Sequence, residues 1–544
     1  MPAAWHDRSV PLADVRFQDG APVGLEDCGA VVQPLGKAVA SSRSATMPQT
    51  AAGTTVGVLA PAVPSSADYD RRMKIVDAPT ELVQRFERVR AACAAQPFPA
   101  WDERADRLRR LERLLVEHEA EIARAIDADF AGRPRFETDI AEVWPSLEEV
   151  KVARRQGKDW MKPRRVPVAK WFLPAGAQVL PQPLGVVGIV VPWNYPLFLA
   201  VAPMAAAIAA GNRVMVKMSE YTPRFSELFA ALCCDVFADD EVDVVTGDAT
   251  VGAQFVALPF DHLLFTGSTA VGKKVMAAAA GNLTPVTLEL GGKSPTVIAP
   301  GYPIDKAVER ILMGKLINAG QTCIAPDYVL LPRDAVGAFV DAARACARRL
   351  YPAGLKDANF CSVVDDRQYR RLTGALDDAI ARGARAETLF AGSARDDAGH
   401  RLGPVLLLDA PDDNALMTNE IFGPVLPLVP YDRLDDAIAY VNARPRPLAL
   451  YWFDDDRART QRALERTHAG GVTVNDTLLH VAQYELPFGG VGHSGMGHYH
   501  GRWGFETFSK LKPIVWQAKV NAMSLFLPPY RPLAHKMLRL MKKM

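Results

Sequence analysis

The stretch Gly185-Val-Val-Gly-Ile-Val-Val-Pro-Trp-Asn-Tyr-Pro-Leu-Phe-Leu-Ala-Val-Ala-Pro-Met-Ala-Ala-Ala-Ile-Ala-Ala-Gly211 decides how this chain is read. Residues 186–191 are a short apolar, β-branched run, the pattern of a strand buried on both faces. Residues 197–210 read as a helix closed by Gly211. Working outward, 214–216 reads as strand, 225–238 as helix, 242–245 and 262–265 as strands, 270–280 as helix and 286–290 as strand. Strands separated by single helices predict an α/β fold with a doubly wound parallel sheet, whose default ligand is a nucleotide at the carboxyl ends of the strands. A further succession after Gly291, with helices over 305–318 and 333–349 and a strand over 328–331, predicts a second α/β domain.

Composition agrees with a folded chain of several units. The 544 residues are 49% hydrophobic and 23% charged, which excludes a disordered or collagen-like chain. Lys plus Arg number 63 against 62 Asp plus Glu, so no global field recruits nucleic acid. Seven dispersed cysteines do not read as a disulfide framework, and reduced thiols in a cytoplasmic enzyme fit better. Residues 171–212 contain no charged side chain, but six prolines and Asn194 interrupt them, so no integral membrane span is expected.

The ends differ from the middle. Residues 38–67 carry one charge, Arg43, and no aromatic, so 1–79 is expected to be a disordered extension, with Met47 and Met73 as alternative starts. Leu108, Leu111, Leu115, Ile122 and Ile126 form the stripe of an amphipathic helix, and a second helix is expected over 138–156; both are read as packing elements with little functional content. The tail 516–544 is basic and partly amphipathic. The small apolar face of its end fits a solvated or subunit-docked terminus better than a membrane anchor.

Three motif matches are set aside. Gly267 to Lys274 has Walker A spacing, but Lys274 stands where a magnesium-binding hydroxyl belongs. Gly490, Gly492 and Gly495 are followed by no apolar helix. His493, His498 and His500 lack the ligands that would complete a metal site, so no metal is expected.

The informative set is Pro192-Trp-Asn-Tyr-Pro196, Phe265-Thr-Gly-Ser268, Leu288-Glu-Leu-Gly-Gly-Lys293, Gly320-Gln-Thr-Cys323 and Glu420-Ile-Phe-Gly-Pro424. Over residues 80–515 the chain resembles the NAD(P)-dependent aldehyde dehydrogenases. The runs 487–501 and 504–510, with Lys217-Met-Ser-Glu220 and 475–482, resemble the class 3-like branch, the bacterial coniferyl aldehyde dehydrogenases in particular. The resemblance implies a cofactor domain (80–161 and 184–290), a catalytic domain (291–480), a β oligomerisation arm (162–183 and 481–515) and a homodimer.

The chemistry can be argued beside the resemblance. Oxidising an aldehyde needs a nucleophile that makes a tetrahedral centre with an extractable hydride, and a thiolate serves. Cys323 lies in a loop between small polar residues, whereas Cys233, Cys234 and Cys346 lie in apolar helical patterns and read as core thiols. The residues alone leave these open, and the resemblance selects Cys323. Asn194 and the Cys323 backbone N–H are the candidate oxyanion donors. Glu289, in an apolar setting that raises its pKa, is the candidate base for hydrolysing the thioester. Gly267 and Ser268 open a helix whose N-terminus suits a pyrophosphate. The resemblance further implies cofactor contacts from Pro192, Trp193 and Leu290, an adenosine ribose near Lys217 and Glu220, a nicotinamide ribose on Glu420, and Phe422 against the nicotinamide. A carboxylate at Glu220 repels a 2′-phosphate and favours NAD, with NADP as the second acceptor. Tyr195 is the candidate substrate-tunnel residue. The expected substrate is coniferaldehyde or a related aromatic propenal, with medium-chain aldehydes as the alternative. Rival readings are a coenzyme A-acylating dehydrogenase, a catalytically silent NAD-binding homologue and a thiol hydrolase.

Overall fold

The computed structural model describes residues 79–543. The expected amino-terminal extension and the alternative starts lie outside the described residues, save that Pro79 opens the first helix, Pro79–Ala95.

The first sheet has the spatial order Gly495–Met496, Val286–Leu290, His262–Gly267, Val186–Val190, Arg213–Lys217 and Val242–Val245. All but Gly495–Met496 run parallel. Chain order reverses at Val186–Val190: later strands are added first on one side and then, from His262–Gly267 on, along the other. Such a reversal opens a crevice at the carboxyl ends of the two central strands, because their connections leave in opposite directions. The loops carrying Asn194 and Ser268 leave from those two ends.

The helix Phe198–Ala210 is buried along all 13 residues, which explains its lack of charge. Gly211 closes it at φ +95°. Arg104 donates to the last carbonyls, Ala209 at 3.1 Å and Ala210 at 2.7 Å, and lies against the bare Gly211 Cα where any Cβ would collide with its guanidinium. The uncharged run thus divides into the strands Gly176–Pro183 and Val186–Val190 and this one short helix. No helix among the described residues is long and apolar enough to cross a membrane.

The second sheet has the order Arg385–Thr388, Val405–Leu408, Val425–Tyr431, Tyr328–Pro332, Pro295–Ile298, Ala449–Phe453 and Gly471–Val474, parallel except at Arg385–Thr388. A third, antiparallel sheet joins Arg164–Val166, Gly176–Pro183 and Ser509–Trp516. Of the stretch 481–515 expected in the arm, only its end enters this sheet. Gly495–Met496 instead extends the first sheet, where Gly495 faces Glu289.

Several expectations are corrected. The stripe from Leu108 to Ile126 belongs to two helices, Trp101–Glu117 and Glu119–Phe130, because His118 leaves helical geometry at φ −113°, ψ 13°. The helix expected over 138–156 begins as a π-helical turn, Asp139–Val143, before Trp144–Trp160; Pro145 near that start has no N–H to donate. The helix Ala249–Val256 was not anticipated. Cys234 is exposed although its neighbour Cys233 is buried, because adjacent helical side chains point about 100° apart.

Candidate active site

Cys323 reaches its position through a turn of unusual backbone. After the helix Ile304–Leu316, Asn318, Ala319 and Gly320 adopt φ of +52°, +50° and +76°. Left-handed geometry costs a non-glycine residue roughly 1–2 kcal/mol, so the turn needs support. Glu137 accepts the Asn318 N–H at 2.9 Å. The Asn318 side chain donates to the carbonyls of Asn194 (3.0 Å) and Gln321 (3.2 Å). Gln321 in turn donates to Asn318 O and Ser362 O and accepts from Val364 N. Gly320 is required here, since a Cβ would lie 2.4 Å from the Gly423 carbonyl.

Asn194 is buried beside this turn and donates through Nδ2 to Gln321 O at 3.1 Å, leaving the amide's other N–H for a developing oxyanion. Its carbonyl accepts from Arg133 at 3.0 Å. Arg133 also donates to Glu142 at 2.7 Å, with both side chains wholly buried. Glu142 accepts the N–H groups of Leu197 (2.7 Å) and Phe198 (3.2 Å) at the start of the buried helix. The region read as mere packing therefore fixes the Asn194 loop. Tyr195 is also a brace: its buried hydroxyl is 2.6 Å from Thr322 Oγ1, and the Arg133 guanidinium lies over its ring at 4.8 Å. Little of it is left to line a tunnel.

The Cys323 residue is half-buried. Burial pushes its thiol up, the Glu420 and Glu289 carboxyls add to this, and the backbone N–H groups of Cys323 and Ile324 oppose it. Glu289, in the first-sheet strand Val286–Leu290, and Glu420, in the loop before the strand Val425–Tyr431, thus act together in raising the pKa of this thiol. Glu289 is buried and neither of its oxygens has a hydrogen-bond partner in the protein; desolvation drives it well above the ordinary carboxyl range. Glu420 is pushed up to about 8 by burial and by Asp327, against the Gly292 N–H that it accepts. Its carboxyl lies so close to Gly291 that a Cβ there would be 1.9 Å from Oε2. Lys293 fixes this loop by pairing with Asp327 and donating to Leu416 O at 2.7 Å and Asn419 O at 3.0 Å.

The crevice fits a dinucleotide. Ser268 caps the helix Thr269–Ala280, accepting from Val271 N, so the first-turn N–H groups face outward at the strand end. Gly267 has no room for a side chain, since a Cβ would be 2.5 Å from the Phe265 ring. Lys217 is buried at the end of its strand, donates to Met218 O (2.7 Å) and Gly247 O (2.8 Å), and lies 3.9 Å from the exposed Glu220. The half-buried Glu420 keeps Oε1 without a protein partner, an acceptor suited to a ribose hydroxyl. Half-buried Pro192 and Trp193 follow the central strand, and the Trp193 ring meets Phe422 edge-to-face at 5.2 Å, closing the crevice across the two sheets. Leu290 packs its side chain on Gly272 of the neighbouring helix and donates its N–H to Ser494 O.

Arg133, Glu137, Glu142, Lys293 and Asp327 escaped the sequence reading. Arg133 and Glu142 are nine residues apart, but their other partners and those of Glu137, Lys293 and Asp327 are tens to hundreds of residues away, and only the Leu-Gly-Gly-Lys run marked any of them.

Two α/β units that bring a buried carboxyl to a thiol beside a dinucleotide crevice define a thiol-dependent nicotinamide oxidoreductase. The Aldehyde dehydrogenase family matches residues 72–514. A probable coniferyl aldehyde dehydrogenase of Pseudomonas aeruginosa is 52% identical over 450 residues, covering 83% of this chain and 94% of the relative. A substrate-bound Staphylococcus aureus AldH structure superposes with a TM-score of 0.80 at 35% identity, covering 86% of this chain and all of the other. An NAD+ complex of a Bacillus cereus aldehyde dehydrogenase superposes at 0.73 with 27% identity, covering 81% and 89%. The chain belongs to the aldehyde dehydrogenase family and oxidises an aldehyde with a nicotinamide cofactor.

Proposed function

We propose that the protein is a cytoplasmic, homodimeric dehydrogenase that oxidises coniferaldehyde or a related aromatic propenal to the carboxylic acid with NAD, through a thioester on Cys323. The observation that carries the reading is the buried Glu289 carboxyl, neither oxygen of which has a protein partner, acting with Glu420 on the half-buried Cys323 thiol. Ser268 and Gly267 would hold the pyrophosphate, Lys217 and Glu220 the adenosine ribose, and Glu420 the nicotinamide ribose. When bound, the nicotinamide supplies the hydride acceptor and a positive charge that favours the thiolate.

The Cys323 thiolate adds to the aldehyde carbon, and the oxyanion takes the free Asn194 N–H and the Cys323 N–H. Loss of hydride from that carbon leaves a thioester. Glu289, as carboxylate, removes a proton from water; the hydroxide attacks the thioester carbon, and the carbon–sulfur bond breaks to release the acid and restore the thiolate. The exposed Glu220 carboxylate beside Lys217 supports NAD over NADP by repelling a 2′-phosphate. The substrate class follows the name of the Pseudomonas aeruginosa relative.

A purified-protein assay tests the reading: reduced-nicotinamide formation from coniferaldehyde, cinnamaldehyde, benzaldehyde and hexanal with each cofactor. The highest kcat/KM is expected with coniferaldehyde and NAD, and acid should form in equal amount without coenzyme A. A requirement for coenzyme A would establish the acylating alternative instead.

A further inference from the structure

Residues 360–364 form no helix or strand, yet every one of them is buried. An irregular segment in a core must satisfy its backbone groups on its neighbours, and these neighbours are the two loops of the active site. Toward the Cys323 turn, Ser362 O accepts from Gln321 Nε2 at 3.0 Å and Val364 N donates to Gln321 Oε1 at 2.9 Å. Toward the loop that ends in Arg133, Ser362 N donates to Gly132 O at 3.1 Å and Ser362 Oγ to Ala131 O at 3.3 Å. Gly132, at φ +136°, permits this approach, since a Cβ would lie 3.0 Å from Ser362 Oγ. The Phe360 ring anchors the segment edge-to-face on Tyr351 at 5.3 Å and on Phe390 at 5.1 Å.

One side chain of the segment touches the turn directly. The wholly buried Cys361 thiol lies 3.4 Å from Asn318 Oδ1 and 3.3 Å from Ser362 O. A thiol has a single proton to give. Ser362 O already accepts from Gln321, whereas among the described residues no other donor reaches Asn318 Oδ1, so the S–H is worth more on the amide oxygen. Burial, joined by the Glu137 carboxyl, pushes this thiol up, and it keeps the proton it donates. With Oδ1 held in this way, Asn318 Nδ2 faces the carbonyls of Asn194 and Gln321. The first carries the oxyanion donor and the second lies two residues before Cys323, so the Asn318 amide spans donor and nucleophile.

We propose that Cys361 is a positioning residue for aldehyde oxidation: its S–H, presented by the segment 360–364, orients the Asn318 amide and through it sets Asn194 against the Cys323 turn. The inference rests on the roles given above to Asn194 and Cys323. Neither the spacing of the cysteines nor any motif marks Cys361, because its partner is 43 residues away.

Cys361→Ala and Cys361→Ser test it, since both replace the sulfur by a smaller group and only serine can donate. An orphaned buried acceptor costs a factor of about five at the least. The alanine variant should therefore lose about fivefold in kcat, with the aldehyde KM unchanged and NAD affinity unchanged by calorimetry, while the serine variant stays within about twofold of wild type. Because the effect acts through Asn194, adding Cys361→Ala to Asn194→Ala should cost less than about twofold further. A wild-type kcat in the alanine variant overturns the proposal. So does a serine variant as slow as alanine, which would make the sulfur a matter of packing alone, and so does a full fivefold loss on top of Asn194→Ala. If Asn194→Ala by itself keeps the wild-type kcat, the role of Asn194 fails and the inference with it, a result read without any change at Cys361.

Discussion

Glu142→Gln isolates the buried pair that shapes the active site. Glu142 and Arg133 are both fully buried, 2.7 Å apart, and Glu142 also accepts two N–H groups where the helix Phe198–Ala210 begins. Glutamine keeps the shape and one acceptor but removes the charge. Arg133 cannot shed its proton, so it is left as a buried cation whose next carboxyl is Glu137. Breaking a buried pair by removing one partner costs about 3–5 kcal/mol. With about 2 °C per kcal/mol for a large domain, Tm should fall by about 6–10 °C. The measurement is thermal unfolding of both proteins at one concentration and heating rate. Because Arg133 and Asn318 both hold the Asn194 carbonyl, kcat should fall as well, though less than in Asn194→Ala, where loss of an oxyanion donor costs about 10²–10³-fold. A Tm within a degree or two of wild type would refute the reasoning, because it would mean that the carboxylate is not what compensates Arg133.

Three further outcomes are expected. Cys323→Ala should abolish aldehyde oxidation while NAD binding, followed by calorimetry, persists; normal turnover would remove Cys323 as nucleophile. Glu289→Gln should keep a first-turnover burst of reduced nicotinamide but slow acid release. Since burial raises the Glu289 pKa, the wild-type deacylation rate should climb as pH rises toward it, and the variant should lose that climb in stopped-flow traces. Glu149, buried 3.6 Å from His500, is pushed up to about 8 by desolvation. The folded protein keeps this proton after the unfolded chain has released it, so the contribution to stability is complete below about pH 4.5 and is lost as pH rises through about 8. Glu149→Gln should flatten that part of the Tm–pH curve, and an unchanged slope would exclude the assignment.

The alternation of strand and helix through the first sheet was legible because short apolar runs bounded by glycine, proline and amphipathic helices carry their own periodicity. The strands Val242–Val245 and Val286–Leu290 lie where the pattern put them. The second sheet was less legible: Pro295–Ile298, Val425–Tyr431 and Ala449–Phe453 are as apolar as buried helix segments, and only their neighbours make them strands. Likewise 495–496 belongs to the first sheet only because Glu289 is its partner, across some two hundred residues.

The amino-acid sequence by itself determined the alternation of strand and helix in the first sheet and the contiguous motifs that carry the candidate thiol, carboxyl and amide, since each is set by local pattern; the strand order that opens the crevice came from the fold. Tertiary structure decided what holds them: Arg133 on the Asn194 carbonyl 61 residues away, Glu137 on the Asn318 turn at 181, and Glu420 pressed onto Gly291. A buried charge or a left-handed turn is tolerable only with its partner in place, and that partner is supplied by the folded chain rather than by the residues next to it.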